Sequence, residues 1–196
     1  MTDVLQPPPA ADADSTWPEG VPRRMTLEEY LNWDCEGVHA EWVDGEVVLM
    51  SPVRAIHQRI LLFLARMLSS FCEQHELGEV ILANMRMYLS SRPSGREPDL
   101  MFVSAAHADR IKDARVEGPA DLVVEIISPE SDQRDRSEKF QEYEAAGVPE
   151  YWLIDPLRHE ALFYVLGEDA LYHLRLPSPE GVYTSIMLEG FRLRPD

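Results

Sequence analysis

Lysine is almost missing from this chain: Lys112 and Lys139 are the only two in 196 residues, and arginine carries the rest of the positive charge. With 18 Lys plus Arg against 35 Asp plus Glu, the net charge of −17 argues against a protein that coats nucleic acid by bulk electrostatics. Cysteine is equally scarce. Cys35 and Cys72 are too few for a disulfide framework and lack the spacing of metal ligands. No apolar run approaches the roughly 18–20 residues that span a bilayer, so no membrane segment is expected. No basic stretch followed by apolar residues opens the chain, so a secretory signal is not expected and a cytoplasmic location is. GxGxxG, a Walker loop, zinc-ligand spacing and a GxSxG elbow are also missing, which leaves nucleotide-dependent and serine-hydrolase chemistry without support.

What is present is ordinary globular composition, 45% hydrophobic and 27% charged, at a length suited to one domain. The charge is uneven. The first 50 residues carry 2 bases against 11 acids, whereas residues 51–100 carry 6 arginines against 5 acids. Those arginines (Arg54, Arg59, Arg66, Arg86, Arg92 and Arg96) suit forked phosphate contacts, and equally an ordinary surface.

Residues 1–22 are rich in proline and poor in periodic hydrophobics, so they are expected to form a flexible leader before a single domain over 23–196. Thr26 and Glu29 have the spacing of a capping box, opening a short helix through Tyr30 and Trp33. Asp44-Gly45 between two apolar runs predicts a two-residue hairpin. Ile60, Phe63, Leu64, Met67, Leu68 and Phe71 recur at helical spacing over about four turns. Val80 to Leu89 reads as one strand, residues 90–97 as a loop, and Asp99 to Val103 as a short strand. A helical turn is expected over 107–113. Asp121 to Ile127 is almost wholly apolar, as in a strand buried on both faces. A helix of about 15 residues to Gly147, the strand Tyr151–Ile154 and short alternating strands over 159–193 complete the order. The expectation is an α/β (α+β) fold: a mixed sheet flanked by helices, with a C-terminal antiparallel β extension.

Glu125 is the most anomalous residue, because its strand neighbours are apolar on both faces. An ionised carboxylate there costs several kcal/mol unless it is paired or bound to a cation. It is either a strand-end glutamate paired with an arginine, or a metal ligand or acid/base. Asp99 follows Pro98 at a strand start, as a turn or cap residue would; beside Glu125 it would complete the hard oxygen pair that Mg²⁺ prefers. Asp135, Lys139 and Tyr143 share one helix face at i, i+4, i+8. Lys139 is then either half of an exposed ion pair worth about 0.3–0.5 kcal/mol, or a compact ammonium that arginine could not replace. His57 suits a packed or capping role as well as a ligand role, and Glu41 suits a solvated strand face as well as a ligand.

Pro98-Asp99, then Val124-Glu125-Ile126-Ile127-Ser128-Pro129, then Asp135-x3-Lys139-x3-Tyr143 and Tyr151-Trp152-Leu153-Ile154-Asp155-Pro156 together resemble the Uma-two family, long catalogued as domain of unknown function 820. Glu41-Trp42-Val43-Asp44-Gly45-Glu46 through Met50-Ser51-Pro52, with His57 beyond, is similar to that family's opening segment. The resemblance implies a restriction-endonuclease-like fold and membership of the PD-(D/E)xK nuclease superfamily. It implies a Mg²⁺ (or Mn²⁺) ion held by Asp99 and Glu125, with Glu41 as an additional ligand. His57 and Tyr143 would be accessory groups, and DNA the substrate. The usual lysine two residues after the acid is replaced by Ile127, so the resemblance implies that Lys139 supplies the ammonium from the next helix. A homodimer is expected, since many two-strand cutters pair their sites. The alternative is a non-catalytic interaction or assembly module that keeps the nuclease fold.

Overall fold

The computed structural model describes residues 17–33, 37–50, 53–90 and 93–195. The leader expected over 1–22 lies outside the described residues up to position 16. From Trp17 the chain is already tied down: the indole N–H donates to the Val21 carbonyl and the Arg23 guanidinium lies over the ring.

Helix α1 (Leu27–Asn32) begins with the reciprocal cap read from the sequence, Glu29 N–H to Thr26 Oγ1 and Thr26 N–H to Glu29 Oε2. Strands β1 (Ala40–Val43) and β2 (Glu46–Leu49) pair antiparallel across Asp44-Gly45. Both turn residues have positive φ, 49° and 88°, as a two-residue hairpin turn of the right twist requires. Helix α2 (Ala55–Gln74) buries Leu61, Leu64, Ala65, Leu68 and Cys72. The face is rotated from the one expected: Phe63 is 54% exposed. The small residues Ala65 and Cys72 let that side approach the sheet, and Ile60, Met67 and Phe71 only flank it.

Two expectations fail beyond α2. Val80–Leu89 is not one strand but β3 (Gly78–Leu82) and β4 (Arg86–Leu89), in different sheets. Asn84, at φ 78°, breaks the run between them. The loop expected over 90–97 contains β5 (Ser94–Arg96), paired with both β1 and β4. Gly95 is essential there, because a Cβ would overlap the Tyr30 ring. Strand β6 (Leu100–Ser104) follows, then a 3₁₀ turn over 105–110, β7 (Arg115–Glu117) and β8 (Leu122–Ile126). After a π-helical turn (Arg134–Glu138) come helix α3 (Lys139–Ala146), β9 (Glu150–Asp155), β10 (Glu160–Leu166) and β11 (Tyr172–Leu174). A small ribbon of β12 (Tyr183–Thr184) and β13 (Arg192–Leu193) ends the chain.

The main sheet is six-stranded and mixed, in the order β11-β10-β9-β8-β6-β3, with β8 and β9 parallel. A second sheet runs β2-β1-β5-β4-β7. Strand alternation sorts the main sheet's residues between two cores. Leu122, Val124 and Ile126 face α2 with Trp152 and Phe163. Val123, Ile127, Met101 and Val103 face the other way, toward Met87 and Leu89 of the second sheet and Tyr143 of α3. Glu125 and Asp99 have the parity of this second face. The site therefore forms between the main sheet, the second sheet and α3.

The C-terminal segment closes the α2 side. Phe163 and Tyr183 stack with centroids 3.7 Å apart. The fully buried Glu150 carboxylate accepts from the Trp152 indole, the Tyr183 and Ser185 hydroxyls and the Ile186 and Met187 main-chain N–H groups, at 2.6–3.0 Å. Of Leu162, Tyr164, Leu171, His173 and Tyr183, whose alternation in this segment suits covering a sheet edge or a partner, Leu162, Tyr164 and Tyr183 pack within the molecule, whereas Leu171 and His173 stay exposed. Among the described residues no helix is long and apolar enough to cross a membrane.

Candidate active site

Strands β6 and β8 are antiparallel neighbours with Leu100 opposite Val124. One step further in that register sets Asp99 opposite Glu125, on the same face of the sheet. Asp99 Oδ2 accepts from the Ile126 main-chain N–H at 2.7 Å and pairs with His57 Nε2 at 3.0 Å. His57, at the start of α2, thereby orients the carboxylate from the side.

Glu125 Oε1 accepts from Lys139 Nζ at 2.9 Å and from the Tyr143 hydroxyl at 2.7 Å. Lys139 reaches it because the chain before α3 is wound wider: the Lys139 main-chain N–H donates to the Arg134 carbonyl, five residues back. Its ammonium also lies 2.9 Å from Glu41 Oε1 and 3.5 Å from Asp135 Oδ1. Asp135 and Lys139 are not the exposed ion pair that their spacing allowed; both are buried. Nor is Glu41 a solvated strand residue. Its Oε2 accepts from Arg96 at 2.8 Å, and its Oε1 also accepts from the Glu97 N–H. With both oxygens engaged, Glu41 anchors Lys139 and Arg96 and has little left to offer a metal. Arg96 in turn holds Glu142 through two bonds of 2.6–2.7 Å.

Four buried acids (Glu41, Glu125, Asp135 and Glu142) thus face two buried cations, Lys139 and Arg96. The surplus of negative charge falls on Glu125. Burial raises its pKa most; Lys139 opposes this, but Asp135, Asp99 and Glu41 add to it, leaving it at about 8. Asp135 is raised as well, chiefly by burial. Glu41 goes the other way, to about 2: burial is outweighed by Lys139, Arg96 and Arg134. Lys139 is pushed up by Glu125, Glu41 and Asp135 against its burial, so it remains an ammonium and cannot serve as a base at neutral pH.

A cavity of about 50 Å³ is bordered by His57, Asp99, Glu125, Arg134, Asp135 and Lys139. It is room for an ion and a water, given about 30 Å³ per liquid water. Three of the four buried polar atoms without a hydrogen-bond partner among the described residues belong to this lining: His57 Nδ1, Arg134 Nε and Asp135 Oδ1. His57, Asp99, Met50 and Val53 also border an adjoining cleft of about 960 Å³, the size of a ligand site. Among the described residues no three His, Cys, Asp or Glu side chains form a ready-made metal cage. The donor set that fits a hard divalent cation is the pair Asp99 and Glu125, each with one oxygen outside any hydrogen bond to a described residue.

The sequence profile of the Uma2 family, described as "Putative restriction endonuclease", matches residues 27–195. The chain belongs to the Uma2 family. Among curated proteins, the uncharacterised protein sll1609 of Synechocystis sp. (strain ATCC 27184 / PCC 6803 / Kazusa) is 26% identical over 145 residues, covering 71% of this chain and 80% of its own length. Among solved structures, a putative nuclease of the DUF820 group from Anabaena variabilis superposes with a TM-score of 0.72. The superposition covers 87% of this Uma2 chain and 95% of the other at 16% identity, so the likeness is one of fold, and that fold is restriction-endonuclease-like. Arg96, named from composition only as a phosphate contact or surface residue, is neither: it is buried on Glu41 and Glu142, and Arg134 and Glu142 were not singled out. Arg134 adjoins Asp135, but neither burial nor an unpartnered state can be read from such spacing.

Proposed function

We propose that this Uma2 protein is a Mg²⁺- (or Mn²⁺-) dependent endonuclease of the PD-(D/E)xK type that hydrolyses phosphodiester bonds in DNA. The observation that carries the reading is Glu125. It is a buried carboxylate facing Asp99 across two strands, held on one oxygen by Lys139 and Tyr143 in a pocket with more acids than cations.

Asp99 and Glu125 would hold the ion through their remaining oxygens. When bound, a divalent ion supplies Lewis acidity at the phosphoryl oxygen and lowers the pKa of its water. Lys139 stays protonated and fixed, so its part is electrostatic: its charge, held among the carboxylates, offsets the negative charge that develops on the phosphoryl oxygens. Tyr143 and Glu41 hold that ammonium and its carboxylate partner in place. Tyr143 remains a neutral donor, because burial and the charges of Glu125 and Glu41 raise its hydroxyl pKa well above the ordinary value. His57 keeps the Asp99 carboxylate turned to the cavity.

The test is a titration of Mg²⁺ and Mn²⁺ into the protein with single-stranded, duplex and supercoiled DNA, run beside Glu125→Gln. Metal-dependent cleavage by the parent protein and none by the variant is expected. Absence of cleavage on every DNA form, by folded protein at saturating metal, would leave the non-catalytic assembly module as the better reading.

A further inference from the structure

Among the described residues, the other cations that the site's carboxylates hold are already committed. Lys139 is shared by three carboxylates and Arg96 by Glu41 and Glu142, while Arg136 bridges Asp132 and Asp155. Arg134 is different. It begins the π turn, borders the 50 Å³ cavity beside Asp99, Glu125 and Lys139, and forms no ion pair with a described carboxylate. Its Nε is buried and donates to no described atom. A buried guanidinium N–H left without an acceptor is costly, and such groups persist where something else completes them.

An anion that presents oxygen acceptors and enters the cavity from the adjoining cleft would complete this one. A guanidinium offers a planar fork that matches a phosphate oxygen pair. We propose that Arg134 is the substrate-phosphate contact of this site, donating to a non-bridging oxygen of the phosphodiester held beside Asp99 and Glu125. The inference rests on the nuclease reading and adds a division of labour to it. Lys139, saturated by carboxylates, is a buried structural and electrostatic element, and Arg134 is the cation that meets the incoming phosphate. The orphaned N–H is then satisfied only in the complex.

The test measures binding apart from cleavage. Fluorescence anisotropy of a labelled single-stranded DNA oligonucleotide, in Ca²⁺, is compared for the full chain, Arg134→Met, Arg134→Lys and the control Lys112→Met. Arg134→Met should weaken binding about tenfold or more. The slope of log K against log salt should fall by about 0.7, one single-strand phosphate contact. Arg134→Lys should recover part of the affinity, as a point charge without the fork, and Lys112→Met should bind like the parent. The melting temperature of Arg134→Met should change little, since the unpaired buried donor it removes offsets the charge it withdraws from Glu41 and Asp135; the salt slope, which a merely structural arginine would not move, decides the matter. Parent-like affinity and salt slope in a folded Arg134→Met protein would overturn the assignment while leaving the nuclease reading intact. Binding that depends on Arg134 without any cleavage in Mg²⁺ or Mn²⁺ would support the phosphate contact and sink the nuclease reading. A parent protein that neither binds nor cleaves overturns both.

Discussion

At the scale of single residues, the geometry changes what a substitution of Lys139 can reveal. The i, i+4 spacing with Asp135 suggested that alanine there would leave stability nearly unchanged. Instead, removing the ammonium strands Glu41, Glu125 and Asp135 together in a buried space. Lys139→Ala should therefore cost roughly 3–5 kcal/mol by urea unfolding, as when one partner of a buried pair is deleted. Lost cleavage in that variant would not separate chemistry from collapse of the site. A double-mutant cycle does: Glu41→Gln combined with Lys139→Met should be less destabilising than the sum of the two alone, by about 0.5–3 kcal/mol. Additive values would show that the two side chains do not share one network. Asp99, Glu125 and Lys139 were singled out by rarity and by resemblance to known motifs. The pairing of Arg96 with Glu142 was not, because nothing in their immediate spacing distinguishes a buried charged pair from an exposed one.

At the scale of elements, what was legible is what local chemistry dictates. The Thr26–Glu29 cap, the Asp44-Gly45 hairpin and the apolar run of β8 are each specified by a few adjacent residues. The division of β3 from β4 was illegible because the apolar residues continue through Ala83-Asn84-Met85, and the switch of sheet depends on one backbone torsion at Asn84. Strand β5 was hidden by its Ser-Gly composition; its pairing on both sides is a tertiary fact. The end of β9 gives a pH prediction. Burial raises the Asp155 pKa, but N–H groups of Arg158 and Leu157 and the Arg136 guanidinium outweigh it, so the folded value lies below the ordinary one. A depressed carboxylate contributes stability above its unfolded pKa of about 3.9 and loses it as pH falls through the folded value. Asp155→Asn should be destabilised at pH 7, by about 1–3 kcal/mol. The gap to the parent should close as both are acidified below about pH 4. A gap unchanged between pH 7 and pH 3 would mean that Asp155 is not charged in its role.

At the scale of the whole molecule, the charge of −17 sets how DNA can be engaged. Repulsion from the acidic surface weakens at higher ionic strength, whereas phosphate contacts are lost there; the two oppose each other. Binding should therefore be weak and less salt-sensitive than for a basic nuclease, unless a partner supplies positive surface. Assembly is the other global property. Phe63 and Leu62 remain more than half exposed on α2, a better candidate contact than the C-terminal strands, whose aromatic residues are used internally. A homodimer is expected by light scattering at tens of micromolar, by order of magnitude. Phe63→Glu should convert it to monomer without lowering the melting temperature. A parent protein that scatters as monomer removes the expectation.

Glu150 gathers five donors, and four of them come from residues 183–187. On the ribosome, the strand that carries this carboxylate is synthesised more than thirty residues before the groups that neutralise its burial. Until Tyr183 to Met187 have cleared the exit tunnel, the α2 side of the main sheet can close only over an unpartnered acid, so it should stay open. The α2 side of the fold is thus completed only once these later residues are available, and a chain truncated just before Tyr183 would be one that chaperones and proteases recognise as unfinished.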